Sequence, residues 1–212
     1  IRLADDLREE RSHSVSLSAD LYHTFGKVQT NLLVEGFYTI LDDVFALRDM
    51  DDAADGGKVK ERYNGSGATV RGFNVEGRAA FTRWFELQAG VTLQQSRYKE
   101  PEFWSEDAEV PPVRRMFRTP DAYGYFTASF KPVRNFTADL SGTCTGSMLV
   151  QHMAGSGVAQ DVAVSTPSFF DMNIRLSYDV RIYKEITMQL YGGVQNLFNA
   201  YQKDFDKGVD RD

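Results

Sequence analysis

The chain has 212 residues, a formal net charge of −6 and 42% hydrophobic residues, with a mean hydropathy of −0.39 and a pI near 5.2. That balance argues against nucleic-acid binding, which wants basic patches, and excludes a helical membrane protein, because no run approaches the ~20 apolar residues a spanning helix needs. Cys144 is the single cysteine, which rules out an intramolecular disulfide and a thiolate metal cluster.

In chain order, the first periodic stretch sets Val15, Leu17, Ala19 and Leu21 against Ser14, Ser16, Ser18 and Asp20. Successive side chains in a strand point to opposite faces, so such a stretch has one oily and one wet wall. Weaker alternation follows in 27–41 and 67–77, where Leu33, Phe37, Val70 and Phe73 break strict phase and bulges are expected. The clearest case runs from Phe85 to Gln94, with every odd position apolar. A weaker stretch at about 121–131 carries Ala122, Phe126, Ala128 and Phe130, and Phe136, Ala138, Leu140, Cys144 and Met148 define the next. Phe170, Met172, Ile174, Leu176 and Tyr178 come next, and Ile186, Met188, Leu190 and Val194 form the eighth. Cys144 falls on an apolar face and reads as a small lipid-facing hydrophobe.

Alternation alone also suits a soluble sandwich. Most of these runs, however, reach the roughly 9–11 residues that a tilted membrane strand needs, against about 5–6 in soluble proteins. Connection lengths add a second argument. Sharp reversals are expected at Phe25-Gly26-Lys27, about 78–83, Lys131 to Asn135 and Val180-Arg181-Ile182, whereas about 42–66, 98–118 and 151–165 are long. Short turns on one side and long loops on the other are the layout of an outer-membrane barrel. Aromatics near the strand ends fit interfacial girdles: Phe25, Phe81, Trp84, Phe85, Phe136 and Tyr183 on the turn side, and Phe45, Tyr63, Tyr98, Phe117 and Phe198 on the loop side.

Three segments carry a resemblance to a known family. The run Gly193-Val194-Gln195-Asn196-Leu197-Phe198-Asn199-Ala200-Tyr201 resembles the near-C-terminal strand of the TonB-dependent outer-membrane receptors, which ends in an Asn-Leu-Phe-Asn/Asp turn. Asp6 to Ser12 is similar to a family segment preceding a mid-barrel strand, and departs from its pattern at Arg8-Glu9. Phe117-Arg118-Thr119-Pro120 with Tyr123-Gly124 resembles a lead into a later strand.

The resemblance implies an all-β protein whose residues 1–212 are about eight strands from the C-terminal portion of a 22-stranded transmembrane barrel, without plug domain or final strand. Ile1 opens the chain with no charged-then-apolar secretory signal and a polar loop closes it at Asp212, so a piece of a larger protein is expected. The implied function is receptor and active transporter in the bacterial outer membrane. It would take up a scarce bulky solute such as a siderophore, cobalamin, haem or glycan, with energy coupled through the TonB complex and the absent plug. Outer-membrane lipid and lipopolysaccharide are the other expected partners, and no cofactor is implied. His13, His23 and His152 lie far apart with no nucleophile motif or phosphate loop, so no enzyme is expected.

Candidate binding residues sit in the long loops. Phe103 and Trp104, within Pro101 to Ser105, offer exposed rings for stacking on a sugar, a macrocycle or a catecholate. Arg114, Arg115 and Arg118 suit an anionic solute through forked hydrogen bonds, or equally lipopolysaccharide phosphates or the acids Glu106, Asp107 and Glu109. Asp49, Asp51, Asp52 and Asp55 hold enough carboxylate oxygens for a Ca²⁺ loop but lack the spacing of an EF-hand, so a solvated acidic loop is the stronger expectation. Asp139, Asp171, Arg175, Asp179 and Gln189 are expected to face a wet interior. Two other readings remain open: a small self-contained eight-stranded barrel acting as an adhesin or structural protein, and a soluble β-sandwich binding domain.

Overall fold

A computed structural model describes residues 2–50, 59–105, 107–202 and 205. Eight long strands follow the eight periodic stretches: β1 (Arg11–Phe25), β2 (Val28–Asp42), β3 (Ala68–Thr82), β4 (Phe85–Glu102), β5 (Ala122–Val133), β6 (Phe136–Thr145), β7 (Phe169–Tyr183) and β8 (Ile186–Val194). They pair antiparallel in simple chain order from β1 to β8, as one meandering sheet. No described pairing joins β1 to β8, so the sheet is open along both edges among the described residues.

The register explains how local alternation becomes two continuous faces. Leu21, Leu32, Gly77, Ala89, Phe126, Gly142 and Met172 are paired in sequence across β1 to β7 and form one apolar row. The adjacent row is Tyr22, Asn31, Arg78, Gln88, Thr127, Ser141 and Asn173, and its side chains take the other face. Paired residues share a face, so a one-residue slip anywhere would bury charge in the apolar wall.

The two faces are held differently. On the polar face, cross-strand hydrogen bonds pair the side chains: Asn74 donates to Glu35 Oε2 (2.9 Å), Thr92 to Asn74 Oδ1 (2.8 Å) and Ser129 to Asp139 Oδ1 (2.6 Å). Tyr125 Oη accepts from Gln88 (3.1 Å) and donates to Glu76 (3.1 Å), and Gln189 donates to Asp179 (2.9 Å). Arg175 lies over the Tyr191 ring, 4.6 Å from its centroid. The apolar face has no covering layer. Leu17 is 82% exposed and Phe73 62%, and Leu93, Leu176 and Leu190 are exposed as well, whereas the buried aliphatics are Ala4, Ala68, Val110 and Val150, all at the loop end. Cys144 lies in an apolar row between Gly124 and Phe170 and is exposed.

Several expectations need correction. β2 pairs with both neighbours without a register shift, so its interior has no bulge; Leu33, Phe37 and Val70 simply occupy the polar face, while Phe73 stays in phase on the apolar one. Phe37 has a use there. Its ring covers Gly72, where a Cβ would stand 2.8 Å from it, so the aromatic fills what the glycine leaves open. Among the eight long strands the irregularities instead fall beside the turns, at Ala80/Thr82, Phe136/Ala138 and Arg181/Tyr183, and a further one lies at the loop end of β4, between Arg97 and Glu102. β3 continues to Thr82 and reverses at Arg83-Trp84, and β7 continues through Val180–Ile182 to reverse at Lys184-Glu185, where Lys184 has a φ of 45°. β6 ends at Thr145; the Gly146 amide still donates to the Ala122 carbonyl (2.7 Å) in the same register, and Met148 lies in the loop beyond it.

The turn-side aromatics do cluster: Trp84 stands edge-on to Phe130 (5.5 Å) and Phe81 stacks on Phe85 (5.5 Å). The loop side differs from a simple belt. Phe198 packs near Phe170 (6.0 Å), whereas Phe45, Tyr98 and Phe117 line a cavity among the loops.

Candidate functional site

The long loops are built, with short strands of their own. Phe45–Met50 pairs antiparallel with Val59–Asn64, which also receives Arg2–Leu3 in parallel. Val113–Arg115 folds back on β4, and Leu149–His152 pairs with Val162–Ser165. Val113–Arg115 is thus an addition to the main sheet, whereas the other short strands form a three-stranded and a two-stranded sheet of their own.

Between them lies a cavity of about 270 Å³ lined by Phe45, Tyr98, Glu102, Phe103, Trp104 and Phe117 among others. β4 positions most of it, since Tyr98 and Glu102 are its last residues and Phe103-Trp104 follow directly. Trp104 is fixed twice: Nε1 donates to the Pro111 carbonyl (3.3 Å) and the ring meets Phe117 edge-on (5.3 Å, 65°). Phe103 is 70% exposed and free to meet a solute. Among the described residues Glu102 supplies the one carboxylate of the wall, and it accepts from the Tyr63 hydroxyl (3.3 Å). Apolar rings around a single acid suit a bulky, partly aromatic solute with a cationic or hydroxylated edge.

Two loops are tied together at Asp161. Ser105 Oγ donates to Asp161 Oδ2 (2.6 Å) and the Ala154 amide to Asp161 Oδ1 (2.7 Å). Those hydrogen bonds, the Ala154 amide first, hold the Asp161 carboxyl below the usual Asp range. The Asp107 amide donates back to Ser105 Oγ (3.0 Å), and so continues the tie into the β4–β5 loop.

The three arginines are separated from the aromatic cavity. Arg114 pairs with Glu100 (3.4 Å), and Arg115 with Asp121 (3.0 Å) while donating to the Ser147 carbonyl (3.0 Å). Arg118 adopts a φ of 55° and its amide donates to the Leu149 carbonyl (2.8 Å). Arg114 and Arg115 thus pair with Glu100 and Asp121 rather than with Asp107 and Glu109; Glu106 lies outside the described residues. Asp51, Asp52 and Asp55 of the expected calcium loop also lie outside them, as does the Asp49 side chain. Among the described residues no group of three or more His, Cys, Asp or Glu side chains is placed to hold a metal ion. Glu102, Ser105 and Asp161 were not singled out by sequence reasoning. Glu102 had a signal, its place beside the two rings; Ser105 and Asp161 had none, because their contact spans 56 residues.

A second, larger cavity of about 1130 Å³ lies over the polar face of β5 to β8, lined by Asp139, Asp171, Asn173, Arg175 and Tyr191. It brings together three of the residues expected to face a wet interior. At its upper rim the Asn196 to Asn199 turn closes on itself: Asn196 Oδ1 accepts the Ala200 amide (2.7 Å), its Nδ2 donates to the Ala200 carbonyl (2.9 Å), and both asparagines take positive φ near 50°. Asparagine tolerates that conformation and brackets the turn, which gives the motif a physical basis.

The family described as TonB-dependent receptor-like β-barrel matches residues 2–197. Solved structures share the fold: the outer-membrane transporter YddB from Escherichia coli (TM-score 0.63, 13% identity, 93% of this chain and 30% of that one), the ferric-catecholate import receptor Fiu from E. coli K12 (0.61, 15%, 92% and 24%) and the FrpB iron transporter from Neisseria meningitidis (0.58, 14%, 99% and 30%). This chain therefore spans a quarter to a third of their length. No curated protein sequence matches it.

Proposed function

Because this chain belongs to the TonB-dependent receptor β-barrel family, whose members are receptors and transporters rather than enzymes, we propose that it forms the C-terminal portion of a 22-stranded barrel in the bacterial outer membrane. The parent protein takes up a scarce bulky solute, such as a siderophore, cobalamin, haem or glycan, using energy delivered by the TonB complex through a plug domain. No bond is made or broken.

One observation supports this reading most strongly: a single sheet presents a continuous apolar face without a covering layer, opposite a hydrogen-bonded polar face that lines a large cavity. Water would penalise that exposed apolar wall, at roughly 25 cal/mol per Å², and lipid removes the penalty. The polar face then looks onto the barrel interior, and the long loops face outside. Phe103 and Trp104 form the first contact surface for the solute, with Glu102 orienting it, while Arg114, Arg115 and Arg118 brace the loops around the mouth.

The test uses the full-length protein in its own host. Uptake of labelled candidate solutes, beginning with ferric siderophores, is expected to require the protein and to stop when the TonB complex is disabled. Uptake that persists without TonB removes active transport from the reading and favours a structural barrel.

A further inference from the structure

The apolar face carries a groove of about 620 Å³ near the loop end of β1 to β4. Its floor is backbone, because Ser16, Phe37 and Gln94 send their side chains to the opposite face and Gly36 has none to send. Leu17, Phe73 and Leu93 wall it on the turn side, and Val15, Tyr38, Arg71 and Gln95 on the loop side. Val15, Tyr38 and Gln95 stand ten residues from the turn end of their strands and Arg71 eleven, because of the irregularity at Ala80/Thr82. At about 3.4 Å per residue and a tilt of roughly 40°, that is a height of about 25 Å, the height of a barrel's apolar band. The groove thus straddles the boundary where the outer hydrocarbon layer meets the headgroups.

The charges on that boundary are not balanced. Arg71 Nη2 donates only to Gln95 (2.8 Å), and Arg97, one outward position further along β4, is exposed with no acidic partner among the described residues. As diagonal neighbours on adjacent strands the two arginines lie about 7–8 Å apart, an arrangement that costs free energy unless an anion comes between them. The nearby acids are already engaged, Asp42 by Lys99 and Asp121 by Arg115. His13 completes the row of Arg97 on the first strand.

We infer that this groove is a lipid site, in which Arg71 and Arg97 hold a phosphate of a phosphorylated glycolipid of the outer leaflet while an acyl chain lies along the groove between Leu17, Tyr38 and the Phe73 ring, which itself packs against Gly36. Planar guanidinium pairs match phosphate oxygens by forked hydrogen bonds, and a groove floored by backbone accepts a chain that a flat lipid-facing wall would only touch. The inference rests on the outer-membrane reading above.

The test takes full-length receptor purified from outer membranes in non-ionic detergent, with native mass spectrometry of added diphosphoryl lipid A and, separately, of phosphatidylglycerol. Wild type is expected to retain lipid A, R71Q/R97Q to lose about tenfold in affinity, and R71K/R97K to fall between them. Dephosphorylated lipid A should bind wild type no better than the double variant does. Equal lipid A retention by wild type and R71Q/R97Q overturns the site, as does phosphatidylglycerol binding as tight as lipid A. Recovery separates the two readings: a heat-modifiable receptor extracted from the outer membrane that binds no lipid A overturns the lipid site alone, whereas a receptor absent from that membrane overturns the parent reading as well.

Discussion

The wall of eight strands and the platform of loops above it are built by opposite means. The wall repeats one rule along every strand, and its stability lies in a register that keeps each apolar row continuous from β1 to β7. The platform has no period. It depends on single contacts between residues far apart in sequence, such as Ser105 with Asp161 and Trp104 with the Pro111 carbonyl. A repeated rule tolerates change on its wet face and punishes it on its oily one, whereas a platform of single contacts can vary for recognition without disturbing what carries it.

The sharpest way to break this contrast is to set a charge into the oily face. Leu140→Arg in the full-length barrel is expected to cost roughly 2–4 kcal/mol, while Asp139→Asn, its neighbour on the wet face, costs under about 1 kcal/mol. Reversible unfolding in lipid vesicles measures both, and equal losses would mean that the two faces are misassigned. The junction between wall and platform comes next: Asn196→Ala removes two hydrogen bonds across its turn and is expected to cost about 1–2 kcal/mol in the same assay. On the platform, Trp104→Ala should leave the unfolding midpoint nearly unchanged and weaken solute binding by about tenfold. A loss of barrel stability comparable to that of Leu140→Arg would show the loops to be structural.

The smallest effect concerns pH. The Asp161 carboxyl is held below its ordinary value near 3.9 by the Ala154 amide and Ser105. The folded state therefore gains from this tie above that value and loses it as the pH falls through the lowered pKa. Hydrogen exchange at the Ala154 amide should accelerate between pH 5 and about pH 3 beyond the intrinsic trend, and D161N should abolish the difference. Unchanged protection across that range would place the loop-to-loop contact elsewhere.

Much of the wall was legible because a strand writes its two faces into every second residue. Phe85 to Gln94 could be assigned to faces by inspection, and the partners in the register agree with it. Where the reading slipped, a local cue misled. Phe37 and Leu33 looked like errors of phase because an apolar residue on the wet face carries no sign of what it covers, and Gly72 lies 35 residues away. The reversal falls at Lys184-Glu185 rather than at Val180-Arg181-Ile182, because those three residues continue the alternation of β7. Tyr98 and Phe117 looked like interfacial aromatics, and only the strand Val113–Arg115 folding back on β4 brings them around a shared cavity.

The sequence by itself determined the number of long strands, the face that residues of the strictly alternating stretches take and the asymmetry of short turns and long loops, because those follow from a period of two and from chain length between reversals. Only the tertiary structure decided which rings meet Glu102, which acids neutralise Arg114 and Arg115, and that Arg71 and Arg97 stand together without one. Such contacts join positions tens of residues apart, and nothing in local composition encodes a distance across a sheet.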